Sequence, residues 1–364
     1  MVEFERSFGK LDWLVRPKYV PRRILVDHQF WLGVGAVITG GVLQGVFAVP
    51  MKFASRWNYE NIWFVYSLMG MVVFPWVLII ATVPHPGEIY ASTSTTTLFS
   101  ITGFGVCWGI GATLTGVGLT LLGIGLGMAI ILGLSASLGS LIPLVILNPQ
   151  HLHTRQGHAF LLGTTIMLAG IALCARAGIL RDAIRNREVE MGGRSRFLTG
   201  FIVCCSSGLL SSALNFSYAF GGAAVRQALD LGTPSIWSAS VVTALAVTGG
   251  FVANLLYCGY LLLRNRSANR FFRAGAGISW FCGGLMGFFW FGGQTLYGLG
   301  ISRMGTLGVV VGWPLLMGMI IIASNAAGIF TGEWNGVSAQ GKRFLAAGMV
   351  VILTALGVLA LAQR

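Results

Sequence analysis

Long apolar runs alternate with short polar interruptions along most of the chain. Ten of the runs are long enough to cross a hydrocarbon core of about 30 Å, which takes about 20 residues of α-helix. They cover roughly 30–50, 61–83, 98–120, 124–147, 158–178, 197–220, 235–262, 278–301, 306–330 and 343–362. The third and fourth are almost continuous and too long together for one crossing, so Gly123-Ile124-Gly125 is the natural place to turn. The pattern predicts an all-α integral membrane protein of about ten transmembrane helices. The longest polar interruption, 179–196, lies near the middle of the chain. It suggests a tail (1–29), five helices (30–178), a linker (179–196) and five more helices (197–364).

The two halves resemble each other. With the second laid on the first at an offset of 182 positions, Trp108 meets Trp290, Gly111 meets Gly293, Thr113 meets Thr295 and Leu114 meets Leu296. Gly116, Gly118 and Gly123 meet Gly298, Gly300 and Gly305. Five helices per half is an odd number, so matched helices cross in opposite directions. Such inverted repeats are a common construction in secondary transporters, with solute near the midplane between the halves and rocking to alternate access.

Composition agrees. The 364 residues are 55% hydrophobic and only 10% charged, where a soluble domain carries about 25% charged residues. Mean hydropathy is +0.77. Fifty-two glycines suit close helix packing in lipid, including the pairs Gly105/Gly109 and Gly123/Gly127. The net charge of +13 does not point to nucleic acid, because the basic residues sit in short loops between apolar runs. Loops 179–196 and 263–274 share one side with Lys52, Arg56, Lys342 and Arg343. By the positive-inside rule that side is cytoplasmic, which puts both termini outside; the six basic residues of the N-terminal tail argue for the opposite orientation, and its four acids and its distance from the first crossing weaken that vote. Residues 1–29 mix acids and bases and do not form a cleavable signal; Phe4, Phe8, Leu11 and Trp13 suggest a short interfacial helix.

The polar chemistry at depth is uncharged. No acid, His or Lys lies at mid-span, which argues against an ion pump or an exporter built on a buried carboxylate. Cys107, Cys174, Cys204, Cys205, Cys258 and Cys282 lie in apolar runs without metal spacing, so no metal or cofactor is expected. The segment Gly133-Leu134-Ser135-Ala136 could suggest a serine nucleophile, but no base is at hand to activate it. An enzyme is not expected. Gln44, Asn215, Asn254, Gln294 and Asn325 offer paired donor and acceptor groups, as a neutral polyol requires. Trp108, Trp290, Tyr297 and Trp313 offer aromatic faces. Each amide could instead tie helices together, and each ring could pack at the lipid boundary. Pro50, Pro75, Pro143 and Pro314 can kink their helices and free carbonyls. Glu60 and Glu333, at helix ends beside Trp57 and Trp334, are the candidate proton sites; either could be an interfacial charge paired with Lys52 or Arg343.

Several segments resemble the L-rhamnose–proton symporter family of the drug/metabolite transporter superfamily. Val42-Leu43-Gln44-Gly45-Val46-Phe47-Ala48-Val49-Pro50, Lys52 and Trp57-Asn58-Tyr59-Glu60-Asn61-Ile62-Trp63 are similar to its first hairpin. Trp108-Gly109-Ile110-Gly111, Gly118-Leu119 and Leu122-Gly123 resemble its third span, and Gly125 to Ile130 its fourth. Arg176-Ala177-Gly178 with Leu180-Arg181, Gly283-Gly284-Leu285-Met286 and Glu333-Trp334-Asn335 extend the likeness. The resemblance implies two five-helix halves and uptake of a deoxysugar with a proton across the inner membrane. The tail, the stretch from Gly221 to Pro234 and the segment 292–297 depart from it. The expected solute contacts are Gln44, Trp108, Asn215, Asn254, Gln294 and Tyr297, with Glu60 or Glu333 carrying the proton. The alternative is a carrier of the same fold for another small metabolite, or an exporter.

Overall fold

The structure is a computed structural model that describes residues 22–185 and 194–361. The candidate interfacial helix near the N-terminus lies outside the described residues.

Every described element is helical, as a lipid environment demands, since a helix satisfies its own backbone groups. The elements are α1 (Arg22–Val46), α2 (Tyr59–Leu68), α3 (Phe74–Thr82), a short α4 (Pro86–Ser92), α5 (Thr95–Leu122), α6 (Ile124–Leu147) and α7 (Arg155–Arg185). They continue as α8 (Arg194–Ser211), α9 (Ala213–Phe220), α10 (Gly222–Asp230), α11 (Ser240–Arg264), α12 (Gly277–Arg303), α13 (Gly308–Phe330) and α14 (Ala339–Leu361).

Among the described residues, nine segments are long and apolar enough to cross a membrane. The eighth expected crossing, α12, is 27 residues long but falls short on hydropathy. Its glycines and its Gln294, Thr295 and Tyr297 dilute the apolar content, and Gly283, Gly287, Gly293, Gln294, Tyr297 and Gly300 are buried against neighbouring helices. Gly123 turns the chain between α5 and α6 at φ +81, as its position between two long runs predicted. The sixth crossing is less regular than expected. It breaks at Ser212 and again at Gly221, and α10 then folds against α4. The fifth crossing outlasts its apolar run: α7 carries Arg176, Arg181 and Asp182 on helix as far as Arg185.

Close approach through glycine sets the packing. A Cβ at Gly105 would lie 2.0 Å from the Ala246 carbonyl, and one at Gly109 would lie 2.4 Å from the Gly250 carbonyl. There α5 and α11 cross in backbone contact. Gly40 and Gly293 bring α1 onto α12 in the same way. In lipid, where water supplies no driving force between helices, such contacts carry much of the association. Helix α1 packs along α12 and α13, α8 packs along α5 and α6, and α7 packs along α14.

Two prolines act as the sequence suggested. Pro75 cannot donate to the Met71 carbonyl. The helix widens into a π-turn over Met69–Val73, and the Thr248 hydroxyl donates to Met71 O at 3.3 Å. Pro143 frees the Gly139 carbonyl, and the Asn215 amide donates to it at 2.7 Å.

Candidate transport site

An aromatic seam runs through the middle of the bundle. Trp108 on α5 stacks on Trp290 on α12, with centroids 5.2 Å apart and planes at 21°. Tyr66 on α2 meets Trp290 edge-on at 6.2 Å and Trp63 at 4.9 Å, and Phe47 lies 5.2 Å from Tyr66. Gln44 sits one turn before Phe47 on α1, with its chain laid on Gly293. Gln294 follows one turn after Trp290. Both amides are buried, at 6% and 2% exposure, and each has an atom without a partner: Nε2 of Gln44, a donor, and Oε1 of Gln294, an acceptor. An unpaired buried polar atom costs about 1–3 kcal/mol. Two of opposite hydrogen-bonding sense beside an aromatic face mark a place suited to a polar guest.

Asn254 borders the seam, and its partners are filled. Its Oδ1 accepts from the Trp63 indole at 3.0 Å and its Nδ2 donates to the Gly250 carbonyl at 3.1 Å. Asn215 and Tyr297 belong to a second cluster. Asn215 donates to the Gly139 and Val309 carbonyls and accepts from the Tyr297 hydroxyl. Tyr297 packs edge-on against Tyr218 at 5.2 Å and Trp313 at 5.6 Å, while the Trp313 indole donates to Ser135 O at 2.9 Å. Asn325 bonds its own helix at Ile321 O. The six expected solute contacts are thus divided: Gln44, Trp108 and Gln294 share the seam, Asn254 edges it, and Asn215 and Tyr297 hold another junction shut. Two apolar cavities lie away from the seam, one between α6 and α7 and one along α1, α12 and α13.

Sequence reasoning missed Phe47, Trp63 and Tyr66. Their signal was legible, because Tyr59, Trp63 and Tyr66 recur at helical spacing on one face of α2, and Tyr59 and Trp63 do stack at 5.1 Å.

The two candidate acids differ. Glu60, in the first turn of α2, is only 3% exposed. Its Oε1 accepts from Ser267 Oγ at 2.6 Å, Asn265 Nδ2 at 3.0 Å and Asn58 Nδ2 at 3.1 Å, all neutral donors. Glu333 is about a third exposed and ion-paired: Lys52 Nζ lies 2.6 Å from Oε1 and Arg181 Nη1 3.5 Å from Oε2. Arg181 also sits 5.2 Å over the Trp334 ring and pairs with Asp182, which accepts from the Gly125 backbone at the start of α6.

These contacts gather one end of the bundle. The loop after α1, the end of α7 and the loops after α11 and α13 meet there, joined also by Arg56 to Ala274 O and by the Trp57 indole to Arg270 O. This end carries Lys52, Arg56, Arg181, Arg266, Arg270 and Arg273, the side the positive-inside rule assigns to the cytoplasm.

A bundle of long apolar helices around an aromatic, amide-bearing seam, with Glu60, Glu333 and their basic neighbours gathered at one end, belongs to the class of multi-pass membrane transporters. The particular family follows from comparison with known proteins. The L-rhamnose-proton symport protein (RhaT) family matches residues 25–363, and the chain belongs to that family. Relatives named L-rhamnose-proton symporter include one from Klebsiella pneumoniae, 24% identical over 92% of this chain and 99% of its own. Another, from Yersinia pestis, is 25% identical over 92% of this chain and 99% of its own. The matched range includes segment 292–297 and the Gly221 to Pro234 stretch.

Proposed function

We propose that this protein takes up a monosaccharide, L-rhamnose or a close relative, together with a proton across the bacterial inner membrane. The observation that carries the solute site is the seam itself. A pyranose presents C–H faces and hydroxyl edges, and the seam presents stacked indoles flanked by an unpaired donor on Gln44 and an unpaired acceptor on Gln294. Asn254 reaches the solute by exchanging its bond to Trp63. Asn215 and Tyr297 reach it when the far end opens.

Movement follows from two inverted halves, residues 30–178 and 197–364, rocking about the seam. The exchange of helix partners supports this. Helix α1 lies on α12 and α13 of the other half, and α8 lies on α5 and α6 in return. Trp108 and Trp290, which match in the repeat, meet each other. Glu60 is the favoured proton carrier, because neutral donors hold it without a fixed cation. Protonation would weaken its bonds to Asn265 and Ser267 on the other half and so loosen the basic end. Glu333, held by two cations, is the second candidate.

Uptake of labelled L-rhamnose into proteoliposomes, with and without an inward proton gradient, tests the proposal. Accumulation that requires the gradient supports it, and uptake no higher than in empty vesicles rejects it. Unlabelled sugars and other small metabolites as competitors identify the preferred solute.

A further inference from the structure

The outer flank of α1, α12 and α13 carries a groove of about 840 Å3. Its walls are aliphatic and aromatic, with Val46, Phe53, Phe281, Leu285, Ala326 and Phe330 among them. It runs from Val42 to Phe53 on the α1 side, from Ile278 to Phe289 on α12 and from Met319 to Thr331 on α13. All three tracks lead from the middle of a crossing to the basic end. A helical stretch of that length rises roughly 18 Å at about 1.5 Å per residue. One leaflet of a hydrocarbon core of about 30 Å is about 15 Å deep. The groove is therefore one leaflet long.

At its basic end the lining changes character. Thr331 closes the groove, and its hydroxyl accepts from Lys52 Nζ at 2.6 Å. Lys52 remains 40% exposed. Its ammonium has three donors; Thr331 and Glu333 take two of them, which leaves one for an outside acceptor. An apolar trough of leaflet depth that ends at an accessible cation is complementary to one kind of molecule, an acyl chain with an anionic head.

We infer that the groove binds an anionic phospholipid of the cytoplasmic leaflet, with an acyl chain along α12 and α13 and the phosphate at Lys52. The chain length and the cation select the ligand together: the apolar walls alone would take any lipid, and the lysine adds the preference for negative charge. Because Lys52 also ties Glu333, the phosphate competes for the ammonium, and a bound anionic lipid relaxes one bond between the basic-end loops. The binding claim stands apart from the transported solute and can be read without it.

The test is lipid retention by the detergent-purified full-length chain, measured by native mass spectrometry. Phosphatidylglycerol is compared with phosphatidylcholine of the same acyl chains, in the absence of sugar and of any pH gradient. The expected result is one phosphatidylglycerol held more tightly than phosphatidylcholine. Lys52→Gln should remove the preference, weakening phosphatidylglycerol about fivefold, the worth of one lysine near an anionic lipid surface. Ala326→Trp should fill the groove and lower retention of both lipids. Val42→Trp, at an exposed position on the opposite wall, should do the same if Ala326→Trp fails to fold. Myristate as a single-chain probe should bind more weakly than the phospholipid. Equal retention of the two phospholipids, retention unchanged by both tryptophans, tighter binding of myristate, or a dimer that seals the groove against lipid would each overturn the inference.

Discussion

Trp108 of α5 and Trp290 of α12 lie face to face, 5.2 Å between centroids and 21° between planes, in the middle of the bundle. Such a pair is worth about 0.5–1.5 kcal/mol beyond the area it buries. Replacing either ring by alanine should raise the KM for sugar uptake by up to about tenfold, the equivalent of about 1.4 kcal/mol. The double alanine variant should fall short of the product of the two, because the rings form one platform. Initial rates across a range of sugar concentrations check this; unchanged KM in both single variants would remove the seam from the site.

Gln44 and Gln294 separate a solute contact from helix glue. Gln44→Leu and Gln294→Leu each remove a buried polar atom that has no partner. Thermal stability of the purified protein should therefore hold or rise. Uptake should fall about tenfold, the worth of one lost hydrogen bond near 1.5 kcal/mol. A marked fall in stability with uptake intact would assign the amides to packing instead.

Glu60→Gln preserves an oxygen that can accept from Ser267, Asn265 and Asn58 while removing the titratable proton. Sugar exchange between equilibrated compartments should persist, and accumulation driven by a pH gradient should disappear. Counterflow and gradient-driven uptake, measured side by side, distinguish the two. The reverse pattern, with Glu333→Gln abolishing accumulation and Glu60→Gln sparing it, would move the proton to Glu333.

The crossing of α5 with α11 admits no side chain at Gly109, where a Cβ would lie 2.4 Å from the Gly250 carbonyl. Gly109→Ala should destabilise the protein by about 1–3 kcal/mol through overpacking, and Gly109→Leu should block assembly. Gly103, with open space around its Cβ position, should accept alanine with little change. Thermal unfolding in detergent reads both.

The helices were legible in the sequence because lipid imposes one rule on every crossing, a long apolar run. Gly123 was legible because a turn between two such runs needs a residue that tolerates positive φ. The breaks at Ser212 and Gly221 were not, since each depends on what α8 to α10 pack against. The seam was legible in part. Trp108 and Trp290 were visible through the repeat and Gln44 and Gln294 through their depth, but depth cannot say whether an amide is satisfied. Asn215 looked as free as Gln44 until the carbonyl released by Pro143 appeared beside it. Glu60 looked interfacial because its shell comes from Asn265 and Ser267, some 200 residues away in sequence. Glu333 did find one of its two expected partners, Lys52.

The most direct test of coupled transport is to watch the proton and the sugar together. Proteoliposomes loaded with a pH-sensitive dye receive L-rhamnose outside, with no imposed pH gradient. Proton-coupled uptake predicts internal acidification that tracks sugar entry and vanishes in Glu60→Gln. Sugar entry with the internal pH unmoved would contradict it.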